Sequence, residues 1–85
     1  MKTFELKPTN GRKSFGNKAT VIVNDNISTL ISYNTEVASY NHLENKIVVY
    51  DYFSATTLTH INSFLNYYGF DTVSKKELEK YYLNN

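Results

Sequence analysis

The chain has 85 residues, of which 41% are apolar and 15% aromatic, and a net charge of +1. That is enough apolar surface for one compact core and too short a chain for two domains, and it excludes a disordered protein. There is no cysteine, which excludes disulfides, thiolate metal sites and thiol catalysis, and no stretch approaches the roughly 18 apolar residues that mark a membrane span.

Met1 to Leu6 alternates weakly, with Phe4 and Leu6 on one side, as a short first strand would. The sequence up to Gly16 lacks the apolar run of a secretory signal, so none is expected. Pro8, Asn10 and Gly11 mark a loop that Lys13-Ser14-Phe15-Gly16 continues. Gly11 and Gly16 have the spacing of a phosphate-binding loop. Asn17-Lys18-Ala19 stands where that motif needs Lys-Ser/Thr, however, and strand follows rather than helix, so the reading is rejected.

Ala19 to Val23 is β-branched and apolar, and Asn24-Asp25-Asn26 is turn chemistry. Ser28 to Tyr33 resumes strand character. Asn34-Thr35 reads as a bulge or tight turn, and Glu36 to Tyr40 as a further strand with Val37 alternating against Ala38 and Tyr40. Asn41 to Asn45 is polar enough for a hairpin loop. Lys46 to Phe53 is the strongest strand, with Val48, Tyr50 and Tyr52 on one face and Ile47, Val49, Asp51 and Phe53 on the other. Strands in succession with short connections favour an antiparallel meander.

Leu58, Ile61, Phe64, Leu65 and Tyr68 form one stripe at helical period. Ser54, Thr56 and Thr57 offer N-cap oxygens before it, and Gly69-Phe70 is a glycine C-cap with an apolar clasp. Ser74-Lys75-Lys76-Glu77 is a capping box opening a shorter helix, from which Leu78, Tyr81 and Tyr82 pack back onto the core. Leu83-Asn84-Asn85 is expected to fray. The expected fold is therefore α+β, a meander of about four antiparallel strands on one main C-terminal helix plus a short terminal helix. Residues 1–17 form a basic, partly loop-like segment, 18–53 the sheet, 54–69 the main helix and 74–83 the short one.

Charge is unevenly spread. Residues 1–18 carry Lys2, Lys7, Arg12, Lys13 and Lys18 against Glu5 alone, five bases to one acid, while residues 19–85 carry four lysines against seven acids. Arg12, Lys13 and Lys18 around Phe15, beside a sheet rich in tyrosine, could bind single-stranded nucleic acid. Three clustered positives on a near-neutral chain give little counterion release, however.

No catalytic set emerges. His60 flanks the apolar stripe of the helix and reads as a hydrogen-bonded structural residue, one that can tie the helix start to the turn before it. His42 falls in the hairpin loop and reads as solvated. Two histidines with no supporting acid cluster make no zinc site. The acids are too scattered to force two carboxylates together. No cofactor and no metal are expected.

Several blocks resemble a family of small uncharacterised proteins of phages, prophages and other mobile elements. These are Lys13-Ser14-Phe15, Lys18-Ala19, Thr29-Leu30, Ser32-Tyr33-Asn34-Thr35-Glu36-Val37-Ala38, Tyr52-Phe53-Ser54-Ala55-Thr56-Thr57, His60-Ile61-Asn62, Phe64-Leu65 and Gly69-Phe70. The likeness covers residues 12–70. It implies an accessory protein working in a bacterial host cytoplasm.

Size, tyrosine richness, the lack of a catalytic set and this resemblance together point to a non-enzymatic protein-binding module. Its concrete form would be an inhibitor of a host defence nuclease, of the anti-CRISPR type, binding a Cas effector. The alternative is a small nucleic-acid-binding accessory protein. The expected contact residues are Arg12, Lys13, Phe15, Lys18, Tyr33, Asn34, Thr35, Tyr52, His60 and Tyr67, with no membrane partner. A chain this small buries only roughly 60% of its unfolded surface, and a free edge strand would let it gain burial as a two-fold homodimer.

Overall fold

In the computed structural model, residues 1–8, 14–50 and 54–83 are described. Among these residues five strands, β1 (Lys2–Glu5), β2 (Ala19–Asn24), β3 (Ile27–Ser32), β4 (Thr35–Asn41) and β5 (Lys46–Val49), form one antiparallel sheet in sequence order. Two helices, α1 (Ala55–Tyr67) and α2 (Lys75–Tyr81), follow. The α+β meander is as expected, but it has five strands rather than about four. The fifth is β1, which the weak alternation of Met1 to Leu6 anticipates although residues 1–17 as a whole read as basic and partly loop-like; it pairs with β2 from Lys2↔Val23 to Glu5↔Thr20.

Asparagine and aspartate set the turns. β2 and β3 are joined by Asp25-Asn26, with Asp25 at φ +55°. β3 and β4 are joined by Tyr33-Asn34, both at positive φ (+52° and +75°), the type I′ geometry whose twist suits a two-residue hairpin. The tight turn expected at Asn34-Thr35 therefore sits one residue earlier. The irregularity is elsewhere too. Leu30 faces Ala38 but Ile31 faces Glu36, so Val37 is an extra residue and a bulge. This is why Val37, Ala38 and Tyr40 are all buried, where strict alternation would have put Val37 on the other face.

β5 ends at Val49, short of the expected Phe53. The placements expected for Asp51, Tyr52 and Phe53 lie outside the described residues, as do those for Arg12 and Lys13. Leu83 does not fray as expected but makes a parallel bridge to Val49.

The core row runs straight across the sheet. Val21, Leu30, Ala38 and Val49 are paired neighbours and all fully buried. α1 lays Ile61, Phe64 and Leu65 on this row, with Leu6, Phe15 and Leu78 closing the margins. Ser54 is the N-cap of α1, its Oγ accepting from Thr57 N–H. At the other end Gly69 (φ +89°) donates to Asn66 C=O and Phe70 donates to Leu65 C=O, the paired bonds of a Schellman cap. The capping box of α2 is present, with Ser74 N–H donating to Glu77 Oε1 at 2.9 Å. The buried apolar residues of both helices join this one core, so among the described residues the opposite face of the sheet carries no helix.

Candidate functional site

α1 lies along β3 and is pinned to it by a hydroxyl at each end. Ser32 Oγ is 2.8 Å from His60 Nδ1, and Tyr68 OH donates to Ser28 Oγ at 2.7 Å. The spacing is commensurate. Eight helical residues from His60 to Tyr68 rise about 12 Å, and four strand residues from Ser28 to Ser32 span about 13 Å. Ser28, Leu30 and Ser32 thus share one face of β3, with the leucine in the core and a serine at either end.

The His60 end is interior. Ser32 and His60 are each only 2% exposed. Ser32 Oγ also lies 3.4 Å from Thr57 Oγ1, to which Ser54 Oγ donates at 3.3 Å. Phe15 sets its ring edge-on to the imidazole at 4.5 Å, and Tyr33 covers it at 5.5 Å. His60 ties the first half of α1 to Ser32 at the end of β3. A serine and a histidine within hydrogen-bond distance have the elements of a nucleophile and a base. With both side chains buried, the pair serves to join sheet and helix.

At the other end His42 is exposed in the loop after β4, as expected, but its ring is also held in place. Its Nε2 is 2.6 Å from Ser28 Oγ. Its ring meets Tyr40 and Tyr68 edge-on at 4.7 and 5.3 Å. Tyr40 and Tyr68 stack at 4.3 Å, and Tyr40 OH donates to Asn45 Oδ1. Ser28 itself is fully buried. Burial pushes the Tyr68 hydroxyl above its ordinary value near 10, partly offset by the Ser28 hydroxyl and reinforced by Tyr67 and Tyr40. The neutral phenol is therefore favoured in the folded state. Its contribution to stability is complete below about pH 10, the unfolded tyrosine value, and is lost as pH rises through the higher folded value. Tyr68→Phe is expected to flatten that alkaline fall, measured as chemical denaturation midpoints across the alkaline range.

The opposite face of the sheet is built from two rows. One runs Thr3, Ile22, Thr29, Ser39, Val48 and the other Glu5, Thr20, Ile31, Glu36. It holds a depression of about 370 Å³ lined by Ile22, Asn24, Asp25, Ile27, Thr29, Ile31 and Glu36. A second, of about 210 Å³, is lined by Asn17, Lys18, Thr20, Ile31, Tyr33 and Asn34. The two share Ile31 in their linings and so lie side by side. Tyr33 is 48% exposed despite its left-handed backbone, and the Lys18 ammonium sits 5.6 Å from its ring centroid.

The expected contact residues therefore divide. Lys18, Tyr33 and Asn34 line one depression, with exposed Thr35 next in sequence. Phe15 (6% exposed) and His60 lie beneath them in the interior and cannot touch a partner directly, which corrects their reading as contacts. Tyr67 is exposed but stands at the far end of α1 against Phe4, 5.2 Å away. Arg12, Lys13 and Tyr52 lie outside the described residues. Sequence reasoning missed Ser28, Tyr40 and Tyr68 as a cluster, and it missed Ile22, Ile31 and Glu36 on the open face. The available signal was the strand alternation of Ile22, Thr29 and Ile31.

Among the described residues no three His, Asp or Glu side chains converge as a metal site needs. No described helix is long and apolar enough to cross a membrane. A protein-family model described as a family of unknown function, DUF8033, matches residues 4–80. No curated protein and no solved structure matches the chain.

Proposed function

We propose that this chain, which belongs to the DUF8033 family, is a non-enzymatic protein-binding module whose contact surface is the open sheet face with its Tyr33 rim. The observation that carries this reading is Tyr33. A bulky residue in left-handed backbone costs about 1–2 kcal/mol, and asparagine would serve a type I′ turn better. Nearly half of the residue's surface lies in solvent, so the ring is presented at the surface as well as set against His60. Strain of this kind gathers where a side chain is held out for contact.

The adjoining depression suggests the chemistry of the partner. Its floor is isoleucine and threonine, both ionisable groups lining it are carboxylates, Asp25 and Glu36, and no base lines it. An apolar ridge carrying a lysine or arginine fits that lining. Proteins that handle nucleic acids carry basic surfaces of this kind. The resemblance to mobile-element proteins adds the setting, an accessory protein in a bacterial host cytoplasm with a defence nuclease such as a Cas effector as its target. The nucleic-acid alternative is weaker on this face, because the carboxylates repel phosphate.

Expression in a host with active CRISPR immunity is expected to reduce interference against a targeted plasmid. Glu36→Lys should restore interference while leaving the fold intact by circular dichroism. Unchanged immunity together with steeply salt-dependent binding to single-stranded DNA would replace this reading with the nucleic-acid one. Tyr33→Asn is expected to hold or raise stability, by up to about 1 kcal/mol, while binding is lost. A clear loss of stability would mean that the ring matters as a cover for His60.

A further inference from the structure

The two edges of the sheet are treated differently. β5 reads Lys-Ile-Val-Val and is covered: Val49 N–H donates to Tyr82 C=O at 2.8 Å, and Leu83 bridges beside it. β1 reads Lys-Thr-Phe-Glu, and among the described residues nothing pairs with its outer side. The directions of its backbone groups follow from the ladder. Leu6 N–H donates to Ala19 C=O at 2.9 Å. Alternation then turns the N–H and C=O of Phe4 and Lys2 toward β2, and those of Thr3 and Glu5 outward.

We infer that β1 pairs with β1 of a second copy across a two-fold axis, joining two sheets into one. Side-chain faces match only when residues of like parity oppose each other, and four registers centred on a residue of β1 satisfy that. Centred on Lys2 or on Glu5, the pairing sets that residue against its own counterpart, and like charges directly opposite repel. Centred on Thr3, it sets Lys2 against Phe4. Centred on Phe4, it places Thr3 opposite Glu5 in hydrogen-bonded pairs on both sides of the axis. The two Phe4 rings then form the non-hydrogen-bonded pair, where side chains approach most closely. Tyr67, 57% exposed, already leans on Phe4 from α1 and would extend that aromatic contact on both copies.

Lys2 and Glu5 therefore act as a register filter. They discourage indiscriminate strand addition, as charges on an edge do, yet meet no like charge in the Phe4-centred register. The pairing is isologous and consumes the open edge of each copy, while Tyr82 and Leu83 block the β5 edge at Val49. The assembly closes at two.

Sedimentation equilibrium of the full chain over a wide range of dilution is expected to show a monomer–dimer equilibrium, with slow amide exchange at Thr3 and Glu5 in concentrated samples. Thr3→Pro removes an outward N–H that β2 does not use, and proline is tolerated at such an edge. It should weaken the dimer at least about tenfold, as the loss of a net hydrogen bond at two symmetric sites requires. Tyr67→Lys, on an exposed side chain, should weaken it similarly without touching the ladder. A chain that stays monomeric at every concentration, with fast exchange at Thr3 and Glu5, overturns the inference. So does a dimer unaffected by both variants.

Discussion

His60→Ala is expected to cost about 3 kcal/mol, from the cavity under Phe15 and Tyr33 plus the broken bond to Ser32. Marginal stability for 85 residues is about 4–13 kcal/mol, so the loss is a large share of the total and should lower the melting temperature by about 10–20 °C. Ser32→Ala should cost less, about 1–2 kcal/mol, because the histidine keeps its packing. The double variant should cost less than the sum, since each single change already breaks the same bond. Thermal unfolding of the four proteins in the cycle measures this. Single variants that keep full stability but lose a biological activity would show instead that the Ser32–His60 pair does chemistry.

That experiment bears on why some features could be read from sequence and others could not. α1 announces itself because its stripe, N-cap, glycine cap and apolar period all lie within the segment from Ser54 to Phe70. The structure buries Ile61, Phe64 and Leu65 and leaves Leu58 and Tyr68 half-buried, as an amphipathic helix at the edge of a core should be. The capping box of α2 is equally local. His60 was accessible for the same reason, since its turn and its helix are separately recognisable.

The His42 cluster had no such signal. Its partners Ser28 and Tyr68 stand 14 residues before and 26 after it, and only the completed sheet brings them together. β1 was weak because four residues with two charges barely alternate, and an edge strand exists only through its neighbour. The burial of Phe15 was hidden by its basic surroundings. Gly16 and Asn17, both at φ near +65°, form the turn that folds the ring inward, and local composition does not state where such a turn points. The bulge at Val37 is a register property of two strands, invisible in either alone. The cluster, the edge strand and the bulge escaped because they exist only across the sheet, and Phe15 because the direction of a turn is not written in its composition.

The second large effect concerns the covered edge. Leu78 is the one fully buried side chain of α2, 4% exposed, and it holds the helix and the chain after it against the sheet. Leu78→Asp puts a carboxylate where none can be solvated, a cost of several kcal/mol that the seven-residue α2 can avoid by undocking. The rest of the core comes from the strands, the margins and α1, and so survives. Undocking withdraws Tyr82 and Leu83 from Val49 and exposes an edge that reads Ile-Val-Val with one lysine, the composition that favours strand-to-strand addition.

A molecule with β1 and β5 both open has two pairing edges, so association no longer closes and can extend indefinitely. The expected result is a time-dependent rise in light scattering with thioflavin binding, at temperatures where the native chain is stable. Limited proteolysis should show that α2 has detached first. If α2 detaches and the protein nevertheless keeps its original mass, the cover over Val49 is incidental. The contrast between a guarded apolar edge and an open charged one would then carry no meaning for how this domain associates.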